Sequence, residues 1–279
     1  MMGPPVTAEP PPAYDPSSYW SARLAADTGL EGVGWLGLGR AFNHWLYRQR
    51  ARVFGRIARH YGFLNRPPQV LELGPGSGFY VVLWSRLGVR QLTGVEIAAP
   101  AVVRLRRRFP RFTFLEGDIT GDLPLPRAAF DVVTAFDVLF HVTDSAAFDR
   151  VLATIARALR PGGIALISDL FPDGEPLVLP HQVSRTRTTY LAALAAHGLV
   201  VERRWPVFVL MHPWAGTRSP AIRRAARGWW ALVELLAGHI PGGGALLGPV
   251  LYAADGVLTA RRSDGPSTEV WAVRKAAEG

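Results

Sequence analysis

The chain has 279 residues, 49% of them hydrophobic, which suits one sizeable core with decorations rather than two domains. It contains no cysteine, which excludes disulfides, thiolate metal sites, iron–sulfur radical chemistry and any cysteine nucleophile. The formal net charge of +9 rests on arginines spread along the chain, with Lys275 the single lysine, so it reads as a solvated background and not as a nucleic-acid patch.

Residues 1–18 are proline-rich and lack the basic flank and apolar core of a signal peptide, so a disordered tail and a cytoplasmic location are expected. A helical cap is expected over 19–65. Ser18, Tyr19 and Trp20 open a short helix to about Ala26, and a glycine-rich link, 29–39, follows. A longer amphipathic helix comes next, with Phe42, Leu46, Val53, Ile57 and Tyr61 on one stripe and Gly62 as its stop. The next unit, 66–212, alternates strands and helices. Strands are expected at 70–73, 92–95, 112–115, 130–135 and 164–168. Between them, 79–87 suits a helix, and Val102, Leu105 and Phe109 mark a buried stripe among the arginines 104–108. Asp144 is placed to cap a helix carrying Phe148, Val151, Leu152, Ile155 and Leu159, which Pro161, Gly162 and Gly163 end. A helix at 188–197 leads through Gly198 into an antiparallel-type strand, 199–211.

Residues 213–266 are too long for a hairpin connection and read as a helical insertion, with helices near 222–237 and 246–258. A last strand, 268–274, closes the sheet. The insertion is strongly apolar, but Glu234, His239, Pro249 and Asp255 interrupt it, so no membrane span is expected. A lid over a ligand or a homodimer contact remains.

The stretch that carries chemistry is Val70 to Tyr80, where a strand breaks into Gly74, Gly76 and Gly78 before a helix. Strand, glycine turn and helix form a nucleotide site at a strand's C-terminal end. The spacing is acidic-x-G-x-G-x-G, with Glu72 two residues ahead of Gly74, and not the G-x-G-x-x-G of dinucleotide folds. A carboxylate there repels a pyrophosphate and suits an ammonium group. Glu96 ends the second strand, where a carboxylate can accept two hydrogen bonds from a ribose diol.

Glu72 to Gly78 resembles motif I of class I S-adenosylmethionine-dependent methyltransferases, and 159–168 resembles their small-molecule, type 11/12-like branch. The resemblance covers 66–212 well. It implies an α/β, Rossmann-like, doubly wound sheet of seven strands, mostly parallel with an antiparallel last strand. N-terminal helices and the helical insertion before the last strand would be added to it. It implies S-adenosyl-L-methionine as cofactor, held by Tyr19, Glu72, Leu73, Gly74, Gly76, Gly78, Glu96, Ile97, Asp118, Ile119, Phe136 and Asp137. Asp118 would take the adenine amino group and Ile119 pack on the ring.

The fourth strand exits as Ala135, Phe136, Asp137 and Val138, without the Asn-Pro-Pro-Tyr of enzymes that methylate base amino groups. Base amino groups are therefore not expected as acceptors, nor are DNA, RNA or a metal expected; the apolar insertion, closing with the N-terminal helices, leads instead to the expectation of a small, apolar or aromatic acceptor. His141 is the nearest candidate for a general base, ahead of His181, Arg185, Arg187 and Tyr190. Two alternatives stay open: an NAD(P)-dependent oxidoreductase on the same scaffold, and a non-catalytic cofactor-binding regulator.

Overall fold

Each short apolar run expected as a strand has become one. In a computed structural model that describes residues 14–215 and 219–276, these are β1 (Val70–Leu73), β2 (Leu92–Glu96), β3 (Thr113–Glu116), β4 (Phe130–Phe136) and β5 (Leu159–Asp169). With β8 (Leu199–Pro206) and β9 (Glu269–Lys275) they form a seven-stranded sheet in the order β3-β2-β1-β4-β5-β9-β8. The first five strands pair in parallel, and β9 is antiparallel to both β5 and β8. The expected sheet is the one observed. The expected tail lies largely on 1–13, outside the described residues, and Asp15 caps the first helix by accepting the N–H of Ser18.

Side chains alternate across a strand, and this divides the core in two. On β5, Ile164 and Leu166 join one cluster with Phe42, Val53 and Trp84, whereas Ala165 and Ile167 join the other with Phe148, Leu152 and Tyr190. The first face is covered by α3 (Gly39–His60), α4 (Phe79–Arg86) and α5 (Ala99–Arg108). The second is covered by α6 (Ser145–Ala158) and α7 (Arg187–Ala196). Two helices precede α3: α1 (Pro16–Ala26) and the single turn α2 (Leu30–Val33).

Four local expectations change. The glycine-rich link is folded, holding α2 and a 3-10 turn, Leu36–Leu38. Leu159 is not in α6 but opens β5, its backbone extended at φ −66°, ψ 135°. A hairpin of β6 (Leu177–Leu179) and β7 (Gln182–Ser184) stands outside the main sheet. The strand expected to reach Met211 stops at Pro206, because the N–H groups beyond it go elsewhere: those of Val209, Leu210 and Met211 all donate to the Asp255 carboxylate, at 3.1, 2.8 and 3.2 Å.

Asp255 belongs to the insertion, whose helices are α8 (Pro220–Glu234), continued by a π turn, Leu235–His239, and α9 (Gly243–Leu258). Glycines let α9 lie close along α3. A Cβ on Gly244 would come 3.3 Å from that of Phe42, and one on Gly248 would come 2.3 Å from the Trp45 ring. Arg52 of α3 donates to the Tyr252 carbonyl at 2.7 Å. The insertion is thus a buttress behind the N-terminal helices. No helix among the described residues is long and apolar enough to cross a membrane.

Candidate active site

Strand order reverses between β1 and β4, and the crevice at such a point takes the ligand in open α/β sheets. A cavity of about 750 Å³ opens there, within the range of small-molecule sites. Its floor is the glycine turn. Gly74, Gly76 and Gly78 have φ of +66°, +54° and +78°, a region that disfavours any side chain. A Cβ on Gly74 would strike Val138 at 2.6 Å.

Two carboxylates sit under and beside this turn. Glu72, on the Val70 face of β1, is 2% exposed, and its Oε2 has no hydrogen-bond partner. Burial, and then the Glu96 carboxylate, push its carboxyl up to about 8. A buried acceptor left open in this way fits a cationic ligand group. Glu96 accepts the N–H of Gly76 at 2.8 Å and of Ala98 at 3.0 Å, one on each oxygen. Burial raises its pKa while these N–H groups oppose the rise. One lone pair on each oxygen stays available.

Of the residues expected at the cofactor, Tyr19, Gly74, Gly76, Glu96, Ile97, Asp118, Ile119, Phe136 and Asp137 line the cavity, as does His141. Glu72, Leu73 and Gly78 do not. Asp118 is exposed, and one of its oxygens accepts the Thr120 N–H at 2.8 Å.

The roof comes from segments far away in sequence. Tyr19 of α1 stacks on His181 of the hairpin at 5.4 Å, and Trp20 meets His141 edge-on at 4.8 Å. Asn43 is fully buried and clamps the link: its side-chain oxygen accepts the Trp35 N–H, and its amide donates to the Trp35 and Gly39 carbonyls. Trp35 lines the cavity and is backed by Trp230 at 5.0 Å. Among the described residues of the insertion, only Pro213 reaches the lining. Among the described residues, α1, the link and the hairpin cover the cavity, and Trp230 of the insertion stands behind Trp35.

Among the candidate bases, His141 has Nδ1 2.9 Å from the His181 carbonyl, and burial lowers its pKa to about 4. Three cavity residues were not foreseen. Arg50 forms an ion pair with Asp137, which takes φ +57° and accepts the Ser168 hydroxyl at 2.8 Å. The readable signal was an arginine in helical register with Leu46, Val53 and Ile57. Asp169 is fully buried; it accepts the Tyr190 hydroxyl at 2.7 Å, and burial raises its carboxyl to about 6. His212 is held near 3 by burial and then by Arg50. Arg185, Arg187 and Tyr190 do not line the cavity; Arg187 pairs with Asp173 instead.

The family described as "Methyltransferase domain" matches residues 71–167. A Mycolicibacterium smegmatis protein named as a probable S-adenosylmethionine-dependent methyltransferase is 34% identical over 126 residues, 45% of each chain. Phthiotriol/phenolphthiotriol dimycocerosates methyltransferase 1 of Mycobacterium ulcerans is 30% identical over 177 residues, 56% of this chain and 60% of that one. The chain spans about half the length of the curated relatives it matches. In fold it is similar to the 1,6-didemethyltoxoflavin-N1-methyltransferase of Burkholderia thailandensis, with a TM-score of 0.54 and 19% identity over 96% of this chain and 93% of that one. Residues 71–167 thus match a methyltransferase domain, and about half of the chain is similar to probable S-adenosylmethionine-dependent methyltransferases.

Proposed function

We propose that the protein transfers a methyl group from S-adenosyl-L-methionine to an oxygen, nitrogen or carbon of a small, largely apolar acceptor. The observation that carries the reading is the open, buried Oε2 of Glu72 beneath three left-handed glycines. A cationic amino acid group fits there and a pyrophosphate does not, which speaks against the nicotinamide alternative. Glu96 would hold the ribose, Asp118 and Ile119 the adenine, and Gly74 and Gly76 the close-lying chain of the cofactor.

The cofactor supplies an electrophilic methyl on sulfonium, so the protein mainly orients the acceptor and excludes water. The roof supports an apolar acceptor: Trp20, Trp35, Phe140, Leu177 and Leu179 line it. Where the acceptor must lose a proton, Asp169 near 6 is better matched to neutral pH than His141 near 4. His141 then acts by packing between Trp20 and His181.

Titration calorimetry with S-adenosylmethionine and its demethylated product tests the reading. Binding in the micromolar range, roughly −7 to −9 kcal/mol, is expected, with no competition by NAD. Absence of heat from folded protein would overturn it.

A further inference from the structure

The hairpin of β6 and β7 stands apart from the sheet, and its register decides what it offers the cavity. Leu177 pairs with Ser184, and Leu179 pairs with Gln182. Residues opposite one another on an antiparallel pair, and those two apart along a strand, share a face. These four line the cavity, whereas Val178 and Val183, on the other face, do not. Leu177 and Leu179 are exposed, and Ser184 is fully buried. The next residue pins it there. Arg185, itself buried, donates to the carbonyls of Thr143 and Asp144 at 3.3 and 3.2 Å, with its guanidinium 4.0 Å from the Phe148 ring.

Ser184 and Asp169 are each incomplete. Asp169 ends β5 and lines the same cavity. Its Oδ1 accepts the Leu170 N–H at 2.6 Å and its Oδ2 the Tyr190 hydroxyl at 2.7 Å, which leaves a lone pair on each oxygen. The Ser184 hydroxyl stands close enough to lower the pKa of that carboxyl, yet its Oγ has no hydrogen-bond partner among the described residues. A buried hydroxyl in that state is costly unless a bound group completes it. Asp137, whose charge also acts on Asp169, precedes the Val138 that packs on Gly74, so the pair lies toward the glycine turn.

The group that completes the pair must accept a hydrogen bond from Ser184 and donate one to Asp169. A hydroxyl does both and keeps its second lone pair for the methyl carbon. A neutral amine that accepts from Ser184 has spent its only lone pair, and a carbon nucleophile accepts nothing. We propose that Ser184 and Asp169 form a subsite for a hydroxyl of the acceptor, so that the atom methylated is oxygen. The inference rests on the methyl-transfer reading above and narrows it. The acceptor oxygen bonds to the methyl carbon as the carbon–sulfur bond breaks with its electron pair going to sulfur. The hydroxyl proton passes to the Asp169 carboxylate, while Ser184 keeps the oxygen aimed.

Calorimetry on the protein saturated with the demethylated cofactor can compare naphthalene with the naphthol and the naphthylamine substituted at one ring position. These probes match in shape and differ in a single group. The naphthol is expected to bind at least ~10-fold more tightly than either of the others. Ser184→Ala should abolish that preference and leave naphthalene affinity, cofactor affinity and melting temperature unchanged. Naphthol that binds no better than naphthalene, or not at all, on protein that holds the demethylated cofactor would overturn the subsite and leave the methyl-transfer reading standing. Naphthylamine binding as well as naphthol would overturn the assignment to oxygen, as would a Ser184→Ala variant that keeps the preference. Protein that fails to bind the demethylated cofactor at all would overturn both readings together.

Discussion

The two ends of the cavity are built on different principles. The floor is backbone: three left-handed glycines and strand-end carboxylates, all within the 25 residues 72–96, with Gly76 tied to Glu96 by one hydrogen bond. The roof is side chain: Tyr19, Trp35, His181 and His212 arrive from four separate segments and are held by aromatic contacts and by Asn43. A backbone floor tolerates little change and suits a constant ligand. A side-chain roof can be rebuilt residue by residue, so acceptor choice belongs there.

The largest effect should come from the floor. Gly76→Val would force a branched side chain into φ +54°, with its Cβ 3.1 Å from Val33, and cofactor affinity should fall at least ~100-fold, about 3 kcal/mol. Circular dichroism and calorimetry on the variant check this; a folded variant that binds normally would break the distinction between the two ends. The roof counterpart is Asp255→Asn. It removes the charge that gathers three backbone N–H groups of the segment leading to His212, and should cost about 1.5–3 kcal/mol of stability. Denaturant unfolding measures that loss, and cofactor affinity per folded molecule should stay unchanged.

Glu72 sharpens the comparison through pH. Its folded pKa, about 8, lies above the ordinary 4.5, so the folded state holds a proton that the unfolded state has lost between those values. Stability therefore falls as pH rises from 4.5 to 8. Glu72→Gln should raise the melting temperature at pH 8 and hardly change it at pH 4.5; the reverse pattern would mean that the carboxylate is charged in the free protein. The smallest effect is expected at His141. His141→Phe should leave cofactor affinity within about threefold, because the imidazole is neutral and its place is filled by a ring of similar shape. A pH–rate profile that loses its acidic limb in this variant would restore His141 as the base.

The sequence was most legible where geometry is local. The glycine turn, Glu96 at the end of β2 and the first four parallel strands fall within a residue of expectation, because strand period and glycine spacing act over short range. It was least legible where partners are distant. Nothing near Asp255 in sequence says that it will receive N–H groups from residues 209–211, so β8 was drawn too long. The hairpin from Leu177 to Ser184 has only three-residue strands, below the length at which alternation is distinctive. The insertion reads in sequence as a lid or a subunit contact because its leucines and tryptophans are apolar. In the fold their burial is behind the cavity wall: Trp230 lies against Trp35 and His212.

β9 is the last strand in sequence, yet it lies between β5 and β8. Its partner residues are far back along the chain: Arg274 opposite Ile164, and Lys275 opposite Leu199. Until β9 has been synthesised, β5 has an open edge and β8 has no neighbour. Such long-range pairing is slow, and an unpaired edge invites pairing with other chains. Glu269 supplies a register mark for the late strand. Fully buried, it takes a two-pronged hydrogen bond from Arg204 of β8, at 2.8 and 2.7 Å, and others from Gly265 N–H and the Trp271 indole. A slip of one residue would leave that charge buried and unpaired, so the strand that arrives last carries its own penalty against misplacement.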